Sequence, residues 1–66
     1  MSNATLSPAI LERRHELEAL KDSIKGRDEI ARIFRRVVLL PGEFLPPGIL
    51  VDDMISDIVD VEFKRL

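Results

Sequence analysis

Residues 39–51 read LLPGEFLPPGILV, and this stretch constrains the fold more than any other. It is the most apolar run in the chain, yet three prolines and two glycines prevent it from being one helix. Proline lacks the backbone N–H that a helix interior needs, and its ring clashes with the preceding turn. The run therefore divides into the end of one helix, a stiff loop and the start of another. Pro41-Gly42 and Pro46-Pro47-Gly48 are the two stops, with Phe44 and Leu45 held between them. Prolines make such a loop cheap to order. Phe44 and Leu45 are thus expected to act as a loop anchor, closing a bundle end as a lid in the first instance, or else protruding as a peg for a partner.

With 66 residues there is one domain at most, and a single core in a chain this short rarely supplies more than about 3–5 kcal/mol. Natural staples are missing, since there is no cysteine, and the single histidine cannot supply a zinc site of about four ligands. A partner chain is the remaining source of stability. The apolar residues are nearly all aliphatic, with three Phe and no Trp or Tyr, which suits helix packing better than a ligand pocket or a base-stacking surface. A charged fraction of 33% is too high for a membrane span, and no signal-type start is present. These features read as a cytoplasmic chain. Ser2-Asn3-Ala4 resembles a vector-derived remnant, so residues 1–7 are set apart from a single helical domain at 8–66.

Ser7-Pro8 is a helix start, with serine as cap and proline at the first position. The first helix is expected over about 8–25. Leu6, Ile10, Leu17, Leu20 and Ile24 fall on one narrow line, interrupted by Arg13, and resemble a coiled-coil seam. A second helix is expected over 28–40, with Asp28 and Glu29 at its positive end. Its residues Ile30, Ile33, Phe34, Val37 and Val38 follow the i, i+3, i+4, i+7, i+8 spacing of a buried face. At about 100° per residue, a straight rod through both segments would set their stripes roughly 120° apart, beyond one flat partner. A break at Gly26 resolves this, giving a helical hairpin, with a bent rod as the alternative.

A third helix is expected over 49–61, with Val51, Met54, Ile55 and Ile58 on one face and Asp53, Asp57 and Asp60 on the other. Glu62 would land within the apolar stripe. Val59, Val61 and Phe63 also alternate with charged residues, so a short C-terminal strand is the lesser alternative. The fold class is therefore all-α, two to three helices completed as an oligomeric bundle. Its interface and core residues are Ile30, Ile33, Phe34, Val37, Val38, Val51, Met54, Ile55 and Ile58.

Catalysis is disfavoured on inventory. His15 stands among Arg13, Arg14, Glu16 and Glu18 as a solvated surface histidine, and no thiol is available as a nucleophile. The aspartates of the third helix lack the glycine turn and alternate ligand spacing of a calcium loop. No catalytic residue, metal or cofactor is expected. Arg27, Arg32, Arg35 and Arg36 cluster on the second helix as phosphate contacts would. However, the net charge is −2, and residues 41–66 hold six acids against two bases, which could neutralise the basic helix within the fold or across a dimer. An interfacial membrane hairpin at the proline loop is disfavoured by Glu43 at its tip. The expected role is a non-catalytic helical module for homo-oligomerisation, as dimer or tetramer, or for docking to a larger protein. A dimeric nucleic-acid-associated regulator is the alternative.

Overall fold

In a computed structural model of the chain, which describes residues 7–65, Ser7 is a helix cap. Its Oγ accepts a hydrogen bond from the Ile10 N–H at 3.3 Å, and Pro8 occupies the first turn of α1 (Pro8–Leu20). Two further helices follow, α2 (Ile24–Val37) and α3 (Val51–Lys64). The expected remnant at 1–7 lies outside the described residues except for Ser7, and so does Leu6. Among the described residues there is no strand, which removes the C-terminal strand alternative: residues 59–64 continue α3.

The break between the first two helices lies three residues before the expected one. Lys21 ends α1, and Ser23, in extended conformation, caps α2 by accepting the Gly26 N–H at 2.9 Å. Serine at this site satisfies a free donor of the first turn, so the helix starts there, and Gly26 falls inside it. Asp28 and Glu29 accordingly sit beyond the first turn of α2, not at its start. Ile24, expected on the stripe of the first helix, opens α2 instead and is 78% exposed. Gly26 is buried for a different reason. A Cβ added there would lie 1.7 Å from the Leu20 carbonyl oxygen, so only glycine allows the end of α1 and the start of α2 to cross this closely.

Seven side chains form the core: Leu17 from α1, Ile30 and Phe34 from α2, and Met54, Ile55, Ile58 and Val59 from α3. Ile10, Leu20, Ile33, Val38, Leu45, Val51 and Phe63 are half-buried against it. No polar or charged residue among those described is fully buried.

The two residues that spoil the apolar stripes of α1 and α3 are partners. Arg13 donates to Glu62 through Nε at 2.8 Å and through Nη2 at 3.1 Å, a two-pronged pair with both side chains 29% exposed. Glu62 therefore does not end α3. It stays within the stripe because a cation on the neighbouring helix stands opposite. At the other end Lys21 Nζ meets Asp52 Oδ1 at 2.6 Å. The two pairs set α1 antiparallel to α3 and fix their register. The hydrogen bond with Glu62 raises the Arg13 pKa, and the bond with Asp52 raises that of Lys21. A raised cation contributes stability that is complete below its ordinary pKa and is lost only as pH rises through the raised value, so neither base titrates out near neutrality.

Replacing Glu62 alone by leucine is expected to cost about 1 kcal/mol, between the surface-pair and buried-pair ranges, because it strands a half-buried guanidinium. Replacing Arg13 and Glu62 together by leucine should return stability to within about 0.5 kcal/mol of wild type, since an apolar pair restores the stripe. Urea melts of the single and double variants would check this. A double variant less stable than the single one would show that the ion pair itself is needed for packing.

Candidate interaction surface

Arg27 and Asp52 line one cleft together with Lys21, Leu50 and Val51, so the first turns of α2 and α3 lie at the same end of the bundle. The connection over 38–50 must therefore return along the bundle instead of turning at one end. Its first turn is Leu40-Pro41-Gly42-Glu43. The Glu43 N–H donates to the Leu40 carbonyl at 3.0 Å, and Glu43 Oε1 accepts the Leu40 N–H at 2.9 Å. Gly42, at φ 91°, takes the left-handed place that a type II turn reserves for glycine after proline, and Pro47-Gly48 repeats the step at φ 80°.

Between these turns the chain is neither helix nor strand. Leu45 precedes a proline, which disfavours helical geometry and favours an extended backbone, in which neighbouring residues point to opposite sides. This separates the two expected anchors. Leu45 is half-buried and packs against the core, whereas Phe44 is 90% exposed. Of the two residues expected as a lid, Leu45 alone covers the core, and Phe44 is left in solvent. Leu40, on the other side of the turn, is 65% exposed. Phe44→Ser is accordingly expected to leave the melting temperature within about 2 °C of wild type, the effect of a surface change, whereas Leu45→Ser lowers it. Thermal melts followed by circular dichroism would check the order.

The arginines of α2 do not act together. Arg27 Nε donates to the Lys21 carbonyl at 3.0 Å and so closes the end of α1. Arg32 pairs with Glu29 one turn before it at 3.0 Å. Arg35 and Arg36 are exposed in the last turn, where the helix dipole favours cations, and have no ion-pair partner among the described residues. Within the fold the acidic segment does not neutralise this helix: its cross-helix pairs run to α1. Arg35 and Arg36 line a shallow cleft with Leu39, Leu40, Pro41, Gly42 and Glu43. Exposed Leu40 and two guanidinium groups therefore share one region of surface, and Phe44 follows Glu43 directly in the chain.

Of the expected interface and core residues, Ile30, Phe34, Met54, Ile55 and Ile58 are buried together. Ile33, Val38 and Val51 are half-buried against them, while Val37 is half-buried without joining the core. Val59 is a core residue that the strand alternative obscured. Its place i+1 from Ile58 and i+4 from Ile55 was the available signal, since both neighbours lie on the buried face. His15 is exposed on α1, and Asp53, Asp57 and Asp60 are exposed on α3. Among the described residues, no three acidic or histidine side chains converge as a metal site would require, and no helix is long and apolar enough to cross a membrane.

A third cleft lies between α1 and α3, at the end of the bundle where α1 starts. Ile10, Val59 and Phe63 give it an apolar floor, and Arg14, Asp60 and Lys64 form its rim. At about 250 Å3 it is smaller than the roughly 300–1,000 Å3 of small-molecule sites and suits a single inserted side chain. No family model matches the chain, and neither the curated proteins nor the solved structures gave a match.

Proposed function

We propose that this chain is a non-catalytic helical module that works by binding protein, first of all a further copy of itself. The observation that supports this reading is Phe44, 90% exposed on a loop stiffened by proline-glycine turns at both ends. An aromatic held in place before binding loses little entropy on docking, and such residues dominate interface energetics. Contact with phosphate remains the lesser reading, because two of the four arginines expected to serve it, Arg27 and Arg32, are already engaged within the chain. The reading assigns the module no chemistry of its own, and the exposed place of His15, its one histidine, on α1 fits that.

Light scattering across micromolar to submillimolar concentration tests the first reading. A mass above one chain is expected, and a constant single-chain mass would overturn self-association. Titration with a short DNA or RNA duplex at low salt tests the rival, which requires binding that weakens steeply as salt rises.

A further inference from the structure

The outer faces of α2 and α3 carry charges that are opposite in sign and equal in spacing when α3 is read backwards. On α2, Asp28, Arg32 and Arg35 run acid, base, base at i, i+4, i+7. On α3, Lys64, Asp60 and Asp57 run base, acid, acid at the same intervals in reverse. At about 100° per residue each trio falls within an arc of roughly 60°, on the side of its helix turned away from the core. All six residues are exposed. Among the described residues Arg35, Asp57 and Asp60 make no ion pair, and Arg32 pairs only with Glu29 on its own helix.

We infer that α2 of one copy lies antiparallel along α3 of a second copy, with Asp28 facing Lys64, Arg32 facing Asp60 and Arg35 facing Asp57. Within one chain α2 and α3 start at the same end of the bundle and run in the same direction, so this match is out of reach there, and a second copy offers α3 reversed. The inference rests on the self-association reading above and names the surfaces that carry it. A two-fold axis across α2 and α3 reverses both, so each α2 meets the other chain's α3 and the contact forms twice. It also brings the end of α2, with exposed Leu40 and Phe44 beyond it, to the start of the other α3, where Leu50 is exposed. Exposed ion pairs add little affinity and chiefly fix orientation, so these apolar side chains supply the anchor. A phosphate backbone matches less well, because Asp28 and Glu29 interrupt the bases of α2.

The test uses the whole chain as wild type, as Arg35→Glu and Asp28→Lys, and as each of these with its facing residue reversed, Asp57→Arg for the first and Lys64→Asp for the second. All four positions are exposed, and unchanged circular dichroism verifies folding. Sedimentation equilibrium should show a wild-type dimer. Each single substitution sets like charges against one another twice in the dimer and should raise its dissociation constant by about tenfold. Each double variant should return to within about threefold of wild type, because the pair is restored with its signs exchanged. Rescue of Asp28→Lys by Lys64→Asp reports the antiparallel sense, since a parallel arrangement would set Asp28 near the start of α3 and far from Lys64.

A wild-type dimer indifferent to both single substitutions, or double variants as weak as the singles, overturns this contact while leaving self-association in place. A mass beyond two chains overturns the two-fold exchange. A wild-type chain that is monomeric at several hundred micromolar overturns both readings, and a monomer that binds a short duplex through Arg32 and Arg35 assigns the α2 face to phosphate instead.

Discussion

Gly26→Ala is expected to unfold this chain, against the usual rule for a glycine inside a helix. In an ordinary helix interior the change gains up to about 1 kcal/mol, because alanine is the better helix former. Here the new methyl would sit 1.7 Å from the Leu20 carbonyl oxygen, and the obstacle is backbone, not the end of a flexible side chain. That carbonyl is itself held, accepting the Ser23 N–H at 3.4 Å, while Ser23 is tied to the Gly26 N–H at 2.9 Å. Relief requires α1 to separate from α2, which exposes Leu17 and Ile30, both fully buried. With only about 3–5 kcal/mol available to a core in a chain of this length, overpacking of several kcal/mol leaves little folded protein. Circular dichroism at 25 °C should show lost helicity and no cooperative melt. Gly42→Ala provides the contrast: its φ of 91° is strained for alanine, but nothing lies within 4 Å, so the expected cost is about 1–2 kcal/mol. A Gly26→Ala protein that melts like wild type would show that the two helices do not cross at this point.

Phe34→Ala should be nearly as damaging. Phe34 is 2% exposed and is the only aromatic in the fully buried core. Truncation of a buried phenylalanine typically costs about 3–5 kcal/mol, through lost transfer free energy and the cavity left behind. That range matches the whole stability expected of so small a core. Denaturant titration should find no folded baseline for Phe34→Ala, a reduced midpoint for Phe34→Leu, and a midpoint close to wild type for Arg36→Ala, whose side chain is exposed. Equal midpoints for Phe34→Ala and Arg36→Ala would mean that the buried face of α2 has been misassigned.

Much of the fold follows from local rules. Ser7-Pro8 starts α1 because a hydroxyl satisfies a free N–H and proline has none to leave unpaired. The 3–4 spacing of Ile30, Phe34 and their neighbours fixes the inner face of α2, and the same spacing fixes that of α3 through Met54, Ile55 and Ile58. The two Pro-Gly steps place turns at 41–42 and 47–48 because proline sets φ at the first corner and glycine accepts positive φ at the second. These signals depend on atoms a few bonds apart, so they can be read along the chain.

Four features depended on distant residues and became visible only in three dimensions. Gly26 looked like a helix stop, yet its missing Cβ serves a close crossing with Leu20, a contact that no propensity encodes. Arg13 and Glu62, 49 residues apart, each look like a flaw in an apolar stripe and are harmless only because they meet. Phe44 and Leu45 are adjacent and similar in character, but the path of the loop along the bundle turns one inward and leaves the other in solvent. The cleft between α1 and α3 joins Ile10 to Val59 and Phe63, so it exists only once the helices have docked. The sequence by itself determined which segments are helical, which faces are apolar and where the chain must turn, because capping, periodicity and proline stereochemistry act locally. Tertiary structure decided the close crossing that requires Gly26, the continuation of α3 past Glu62 and the outward position of Phe44, because each depends on which group from another element occupies the neighbouring space.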